Sequence, residues 1–278
     1  MLLTNHYHKP RKELGQNFLI DIAVIQQIIT KINLQPDQII IEIGPGLGAI
    51  TKYIVDNCAK LITIEIDNNL CAKLTKQFSQ AIIRQHLNII NQNVLTIDFI
   101  SLIESNNLAK NLDQDNKIRM VGNLPYNIST PLLFKLFSYA SLIKDMHFLL
   151  QKEVAERLIA DPNNKRYGRL SIMAQYHANM SIMFYVGAES FSPSPKVDSC
   201  FIRFVPHTCL PYKADDYQHF YKLVTVAFSQ RRKIISNALK SYCNADYLAS
   251  LGIDPKCRPE QLSVGDFVKI SNELSTLR

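Results

Sequence analysis

The chain has no C-x-x-C pair, and none of its six cysteines (Cys58, Cys71, Cys200, Cys209, Cys243 and Cys257) has a histidine at metal-ligand spacing. That pattern excludes the common zinc and dithiol frameworks. No metal site is expected, and the scattered thiols read as buried side chains in a reducing compartment. No uninterrupted apolar run reaches the length of a membrane span, and Met1 to Lys12 contains no apolar h-region. The expected location is the cytoplasm, with no membrane partner. Charge is sparse, 20% of residues against 47% hydrophobic, which excludes a disordered composition and leaves a globular one. At 278 residues there is chain enough for a large domain plus a small one, with ample buried core. What charge there is favours one sign: the formal net charge of +7 biases the protein toward a polyanionic partner. Nucleic acid, an anionic membrane and plain solubility all fit that bias until a patch and a site accompany it.

Read in order, the chain opens with His6, His8, Lys9, Arg11 and Lys12, a basic stretch suited to phosphates or to a solvated terminus. Asp21 is placed to cap a helix through Ile32, with Ile22, Ile25, Ile28, Ile29 and Ile32 on one face as core. The β-branched run Ile39-Ile40-Ile41-Glu42-Ile43 predicts a buried strand, and Gly44-Pro45-Gly46-Leu47-Gly48 follows it directly. Glycines at a strand-to-helix turn let the backbone approach a ligand closely. The next run, Leu61 to Ile64, ends in Glu65, and 65 − 44 = 21 positions separate it from Gly44. That spacing suits an acid at the end of the second strand accepting hydrogen bonds from ribose hydroxyls. Asp98 follows another apolar run, where it can accept from an adenine amine or cap a helix.

Gly122-Asn123-Leu124-Pro125-Tyr126 follows the apolar run 118–121 and precedes a helical pattern from Thr130, so it reads as strand end, tight loop, helix. Open α/β sheets bind ligands at the carboxyl ends of their strands. The loop offers an Asn amide, a Pro that stiffens the backbone, and an aromatic ring, which together can hold a flat base. A plain Asn-Pro-type turn is the alternative for these residues alone. A nicotinamide dehydrogenase is the alternative for the whole half, but the glycines run G-x-G-x-G, and Asn-Leu-Pro-Tyr has no evident hydride-transfer role.

Six blocks then speak together: Gly15-Gln16-Asn17-Phe18-Leu19, Glu42 to Gly46, Glu65-Ile66-Asp67, Gly122 to Pro131, Phe191 to Ser199, and Phe228 to Lys233. In this order they resemble the signature blocks of the ribosomal RNA adenine dimethyltransferases, most of all the bacterial small-subunit enzymes. The resemblance spans nearly the whole chain. It implies an α/β fold, with a Rossmann-like methyltransferase domain of mostly parallel sheet over 1–208 and a small all-helical, RNA-engaging domain over 209–278. It implies S-adenosyl-L-methionine as cofactor. The implied reaction is N6-dimethylation of two adjacent adenosines near the 3′ end of small-subunit (16S) ribosomal RNA, with a role in small-subunit biogenesis. The implied partner is ribosomal RNA within the small subunit or its precursor, and the chain is expected to act as a monomer.

Carried over residue by residue, the resemblance gives Asn17, Leu19, Gly44, Gly46, Glu65, Asp98 and Asn123 as cofactor positions. Glu65 would hold the ribose and Asp98 the adenine amine, while Asn17 and Leu19 would close over the methionine side. Asn123, Leu124, Pro125 and Tyr126 would hold the target adenine, with Phe191 as a second aromatic wall. Two departures stand out: Leu14, where many members carry an aromatic residue, and Ser229, where Asn is common. A sulfonium donor is already activated, so no catalytic His or paired carboxylate is needed. Acceptors at Asn123 and at the Leu124 or Pro125 carbonyl would localise the amine lone pair as the transition state forms. Tyr126 serves as a stacking ring, so phenylalanine is expected to replace it with most activity retained.

The remaining chain predicts helices over 130–139 and 151–158, and strands over 146–150, 180–186 and 199–205. The last two bracket a Pro-rich turn that would raise Phe191 toward the site. In the polar loop 161–169, Lys165, Arg166 and Arg169 flank Tyr167, a pattern suited to RNA phosphates and a stacked base or to a solvated loop. Helices are expected over 216–228, 232–242, 245–251 and 263–274, with a boundary at 206–211. Gln230-Arg231-Arg232-Lys233 is a plausible phosphate contact. Methylation of large-subunit ribosomal RNA or DNA stays open as an alternative, as does a non-catalytic RNA-binding assembly factor. The glycine turn, Glu65, Asp98 and Asn-Leu-Pro-Tyr argue against the latter.

Overall fold

The computed structural model describes residues 10–108 and 117–276, so His6, His8 and Lys9 lie outside the described residues. β1 (Phe18–Leu19) leads into α1 (Ile22–Ile32), whose Asp21 cap accepts from the Ala23 and Val24 amides. Then come β2 (Ile39–Ile43), α2 (Thr51–Ile54), β3 (Lys60–Glu65), α3 (Asn68–Gln77), α4 (Ser79–Ile83), β4 (Leu87–Asn91) and α5 (Phe99–Ser105). β5 (Ile118–Asn123), α6 (Ser129–Phe137), β6 (Ile143–Gln151), α7 (Lys152–Leu158) and α8 (Arg169–His177) follow. β7 (Ala178–Val186), β8 (Phe191–Ser192) and β9 (Ser199–Pro206) precede α9 (Tyr217–Ser229), α10 (Ile235–Ala238), α11 (Ala245–Ser250) and α12 (Val264–Ser275).

Seven strands form one sheet in the order β4-β3-β2-β5-β6-β9-β7, and β1 pairs antiparallel with β8 in a separate two-stranded sheet. Pairing is parallel from β4 through β6, and β9 runs antiparallel to β6. This is the mostly parallel, Rossmann-like sheet expected from the motifs. β2 is flanked by β3 and β5 and buried along its whole length, which is why it is an unbroken apolar run but for Glu42. The strand order reverses between β2 and β5, where Gly122 faces Ile43. A Cβ at Gly122 would stand 2.3 Å from the Ile43 carbonyl oxygen, so only glycine lets the two strands close there.

At the amino ends of these strands Arg119 is buried and bonded to Asp145 through Nε (2.7 Å) and Nη2 (3.1 Å). Its remaining donors reach the Ile32 and Asn33 carbonyls at the end of α1 and Gln38 Oε1. The fork thus joins α1, β5 and β6 while leaving neither buried charge unpaired. No feature of the hydrophobic pattern announced this pair.

The chain forms two compact units, one of residues up to Lys152 together with Ile182–Phe204, the other of Glu153–Ser181 together with Val205 onward. The boundary expected at 208/209 is therefore corrected, because 153–181 belongs with the C-terminal helices. The reason is packing: Tyr176 of α8 lies 4.9 Å from Phe220 of α9, and the Tyr167 hydroxyl donates to the Leu262 carbonyl. In the first unit, Ile25, Ile28 and Ile32 of α1 join Ile40, Ile54, Leu61, Phe191 and Phe201 in one core. Ile22, expected on that face, is 60% exposed at the first turn. The helix expected over 232–242 shrinks to α10 because Ile234 is extended, with φ −64° and ψ 154°.

Candidate active site

A cavity opens in the first unit where the carboxyl ends of β2, β3 and β5 meet the loop before β1. The glycine turn after β2 forms one wall. Gly44 and Gly46 sit at φ +69° and +59°, and the Gly44 amide donates to the Ile64 carbonyl (2.9 Å). A Cβ on Gly46 would come within 3.0 Å of the Phe18 ring, so the turn and the N-terminal strand share a space that a larger residue would fill.

Glu65 ends β3 and lines the cavity while 6% exposed. Its carboxylate accepts from the Gly46 amide (3.2 Å) and the Asp67 amide (3.0 Å). Burial pushes its carboxyl above the usual range, although those amides pull the other way. Two residues before Gly44, Glu42 also lines the wall and is fully enclosed. Burial pushes its carboxyl up to about 7 against the opposing hydrogen bond from Thr51 Oγ1, 2.6 Å away.

Across the cavity stands the loop after β5. Asn123 donates through Nδ2 to the Asn17 carbonyl (2.8 Å), which turns the acceptor Oδ1 to the other side of the amide. The Pro125 carbonyl accepts from the Ile128 amide (3.2 Å) in the turn. The Leu124 amide donates to the Leu149 carbonyl (3.3 Å), which fixes the loop against β6. Tyr126 is half-buried at the wall, and its hydroxyl lies 2.8 Å from Ser199 Oγ. Phenylalanine at 126 would lose this contact with Ser199.

Asn17, Leu19, Gly44, Gly46, Glu65 and Asn123 thus share one cavity with Leu124, Pro125 and Tyr126. Asp98 does not join them. It is exposed and caps α5, accepting from the Ile100 amide (3.1 Å), Ser101 Oγ (2.7 Å) and the Tyr139 hydroxyl (3.2 Å). The Ser101 bond, with the Ile100 amide, holds its carboxyl below the usual range. The residue that does line the wall after β4 is Asn93, with Gln92 and Val94 beside it. Asn93 was missed for want of an acidic side chain, and the signal that would have found it is its place just beyond a strand's carboxyl end. Phe191 is the second correction: at 3% exposure it is opposite Leu19 and packed in the core, not on the cavity wall. Among the described residues no cluster of three or more His, Cys, Asp or Glu side chains is arranged to hold a metal ion.

A family model described as ribosomal RNA adenine dimethylase matches residues 7–276. The chain belongs to the ribosomal RNA adenine dimethylase family. A relative from Histophilus somni (strain 2336), "Ribosomal RNA small subunit methyltransferase A", is 44% identical over 268 residues, covering 96% of this chain and 93% of its own. The protein of the same name from Pseudomonas savastanoi pv. phaseolicola is 43% identical over 98% of each chain. The adenine dimethylase fold is also that of a dimethyladenosine transferase from Plasmodium falciparum, with a TM-score of 0.75 at 23% identity over 93% of this chain and 98% of that one. The 23S rRNA methyltransferase ErmE shares it at a TM-score of 0.68 and 22% identity, over 93% of this chain and 100% of that one.

In this adenine dimethylase family member the second unit carries the basic loops. Tyr167 is fully buried, its ring edge-on to Phe228, so it is core and not the stacking platform expected of it. Arg231 is bonded to Glu260 (2.6 Å) and to the Lys165 carbonyl (2.6 Å), which knits the 161–169 and 230–233 segments together. Arg166 pairs with Glu156 at 3.2 Å. Arg232 and Lys233 are exposed.

Proposed function

We propose that this chain transfers methyl groups from S-adenosyl-L-methionine to the N6 amines of two adjacent adenosines near the 3′ end of small-subunit ribosomal RNA. It does so as a cytoplasmic monomer and contributes to small-subunit biogenesis. One observation carries the reading: the Asn123 to Tyr126 loop opens on the same cavity as the glycine turn and Glu65. A base held by the loop therefore faces a cofactor held by the turn. The names of the full-length relatives support small-subunit RNA as the substrate over large-subunit RNA or DNA.

The wall fits a nucleoside-bearing cofactor. Glu65 offers a carboxylate to ribose hydroxyls at a strand end, Asn93, whose Oδ1 accepts from the Leu95 amide (3.0 Å), offers its amide donors to a base edge, and Gly46 leaves free the space a Cβ would take beside Phe18. When bound, the cofactor supplies a methyl group already activated by its positive sulfur. The chain's own task is to hold and aim an amine. Asn123 Oδ1 and the Leu124 carbonyl accept its two hydrogens, which favours drawing the nitrogen lone pair out of the ring as the new bond forms. Tyr126 stacks on the base. The displaced proton passes to water, so no wall residue need act as a strong base.

The test is methylation of small ribosomal subunits taken from cells lacking the modification, using purified protein and S-adenosylmethionine, followed by mapping of the modified bases. Two adjacent N6,N6-dimethyladenosines near the 3′ end are expected. Methylation confined to large-subunit RNA or DNA, or none despite binding of both substrates, would overturn the reading.

A further inference from the structure

The target loop is held by more than its own turn. The Leu124 amide donates to the Leu149 carbonyl of β6 at 3.3 Å, and the Tyr126 hydroxyl meets Ser199 Oγ at 2.8 Å. Ser199 is the first residue of β9, fully buried, and paired with Gln151, the last residue of β6. Both anchors therefore stand on the antiparallel β6–β9 pair and not on β5, which carries the loop. The backbone beside Ser199 is itself fixed, since the Asp198 carbonyl accepts from the Lys152 amide at 3.0 Å. A half-buried ring attached only at Cβ can swing over the cavity mouth, whereas one held at both ends presents a single plane. Burial also keeps the phenol above its ordinary titration range, so at neutral pH the hydroxyl holds its proton.

We propose that Ser199 is a positioning residue for methyl transfer, its hydroxyl holding the Tyr126 ring in the plane on which the target adenine stacks. The proposal rests on the reading of Tyr126 as the stacking ring. Its consequence differs between the two transfers. An unmodified amine has two hydrogens for the Asn123 and Leu124 acceptors, whereas a monomethylated amine has one. The second transfer relies more on the stacking plane, so loosening that plane should strand product at the monomethyl stage.

Single-turnover methylation of small-subunit RNA at saturating cofactor tests this with Ser199→Ala, Ser199→Thr, Tyr126→Phe and the Ser199→Ala/Tyr126→Phe double variant. Loss of one hydrogen bond predicts that Ser199→Ala and Tyr126→Phe each slow transfer about three- to tenfold, with the double variant no slower than either. The monomethyl share of product should rise in all three. Ser199→Thr keeps the hydroxyl and should restore the rate, while dissociation constants for RNA and cofactor stay near those of the unmodified protein. Multiplying effects in the double variant, an unmodified rate in either single one, or an unmoved product ratio would overturn the proposal. Should Ser199→Ala fail to fold, Tyr126→Phe decides alone. If the unmodified protein leaves the RNA unmethylated, the parent reading fails first, a result distinct from any variant's.

Discussion

Glu65 and Glu42 are both acids on the cavity wall, yet burial gives them different work. Glu65 has two amide donors that favour its charged form against the burial that raises its carboxyl. Glu65→Ala is predicted to weaken S-adenosylmethionine binding by about 1.5–3 kcal/mol, the scale for hydrogen bonds to a charged group, read by calorimetry with thermal melting as a check on folding. Glu42 has Thr51 for a donor, and the nearby Glu65 charge adds to the cost of ionising it. Its folded value of about 7 lies above its ordinary 4.5, so the folded state binds the extra proton between those limits. Stability from this group is full below pH 4.5 and is lost as pH rises through about 7. Glu42→Gln removes that dependence. Its stability relative to the unmodified protein should improve by about 3 kcal/mol from pH 4 to pH 8, measured by urea unfolding at both.

β5 is the element on which the site depends most, because it closes against β2 and then delivers Asn123. Gly122→Ala would drive a Cβ to 2.3 Å from the Ile43 carbonyl, a fixed backbone atom with no side-chain freedom to yield. The predicted loss is about 1–3 kcal/mol or more of unfolding free energy, read by chemical denaturation, with weaker cofactor binding because both walls shift. Two short elements explain the corrected residues. β8 sets Phe191 opposite Leu19 and so carries its ring into the core. α5 begins at Phe99 with Asp98 as its cap, and that carboxylate, bonded to the Ile100 amide, Ser101 Oγ and the Tyr139 hydroxyl, lies outside the cavity lining.

Across the whole molecule the net charge of +7 becomes a testable property only where cations are exposed. Arg231 is held by Glu260 and Lys165, whereas Arg232 and Lys233 beside it face solvent. RNA affinity should fall steeply with salt. Replacing Arg232 and Lys233 by Ala should reduce the slope of log K against log salt by roughly 1.5–2 if both meet phosphates. Arg231→Ala should instead lower the melting temperature and change the slope less. Equal slopes for the double variant and the unmodified protein would return these residues to solvated surface.

Much of this was legible in the chain. Periodicity gave α1 and its Asp21 cap, the largely apolar strands around the cavity, and the position of the Asn-Leu-Pro-Tyr loop, since each depends on neighbours within a few residues. Motif order gave the family, and of the residues it suggested for a cofactor Asn17, Leu19, Gly44, Gly46, Glu65 and Asn123 line one cavity. Two things were set only by long-range closure. The grouping of 153–181 with the C-terminal helices follows from ring packing such as Tyr176 on Phe220, which no local pattern encodes. That Asn93 and not Asp98 lines the cavity, and that the Tyr126 hydroxyl meets Ser199, depend on which side chains the strand ends bring together. Local sequence biases backbone dihedrals and the face an element buries, but a contact between positions 126 and 199 exists only once β9 has docked beside β6.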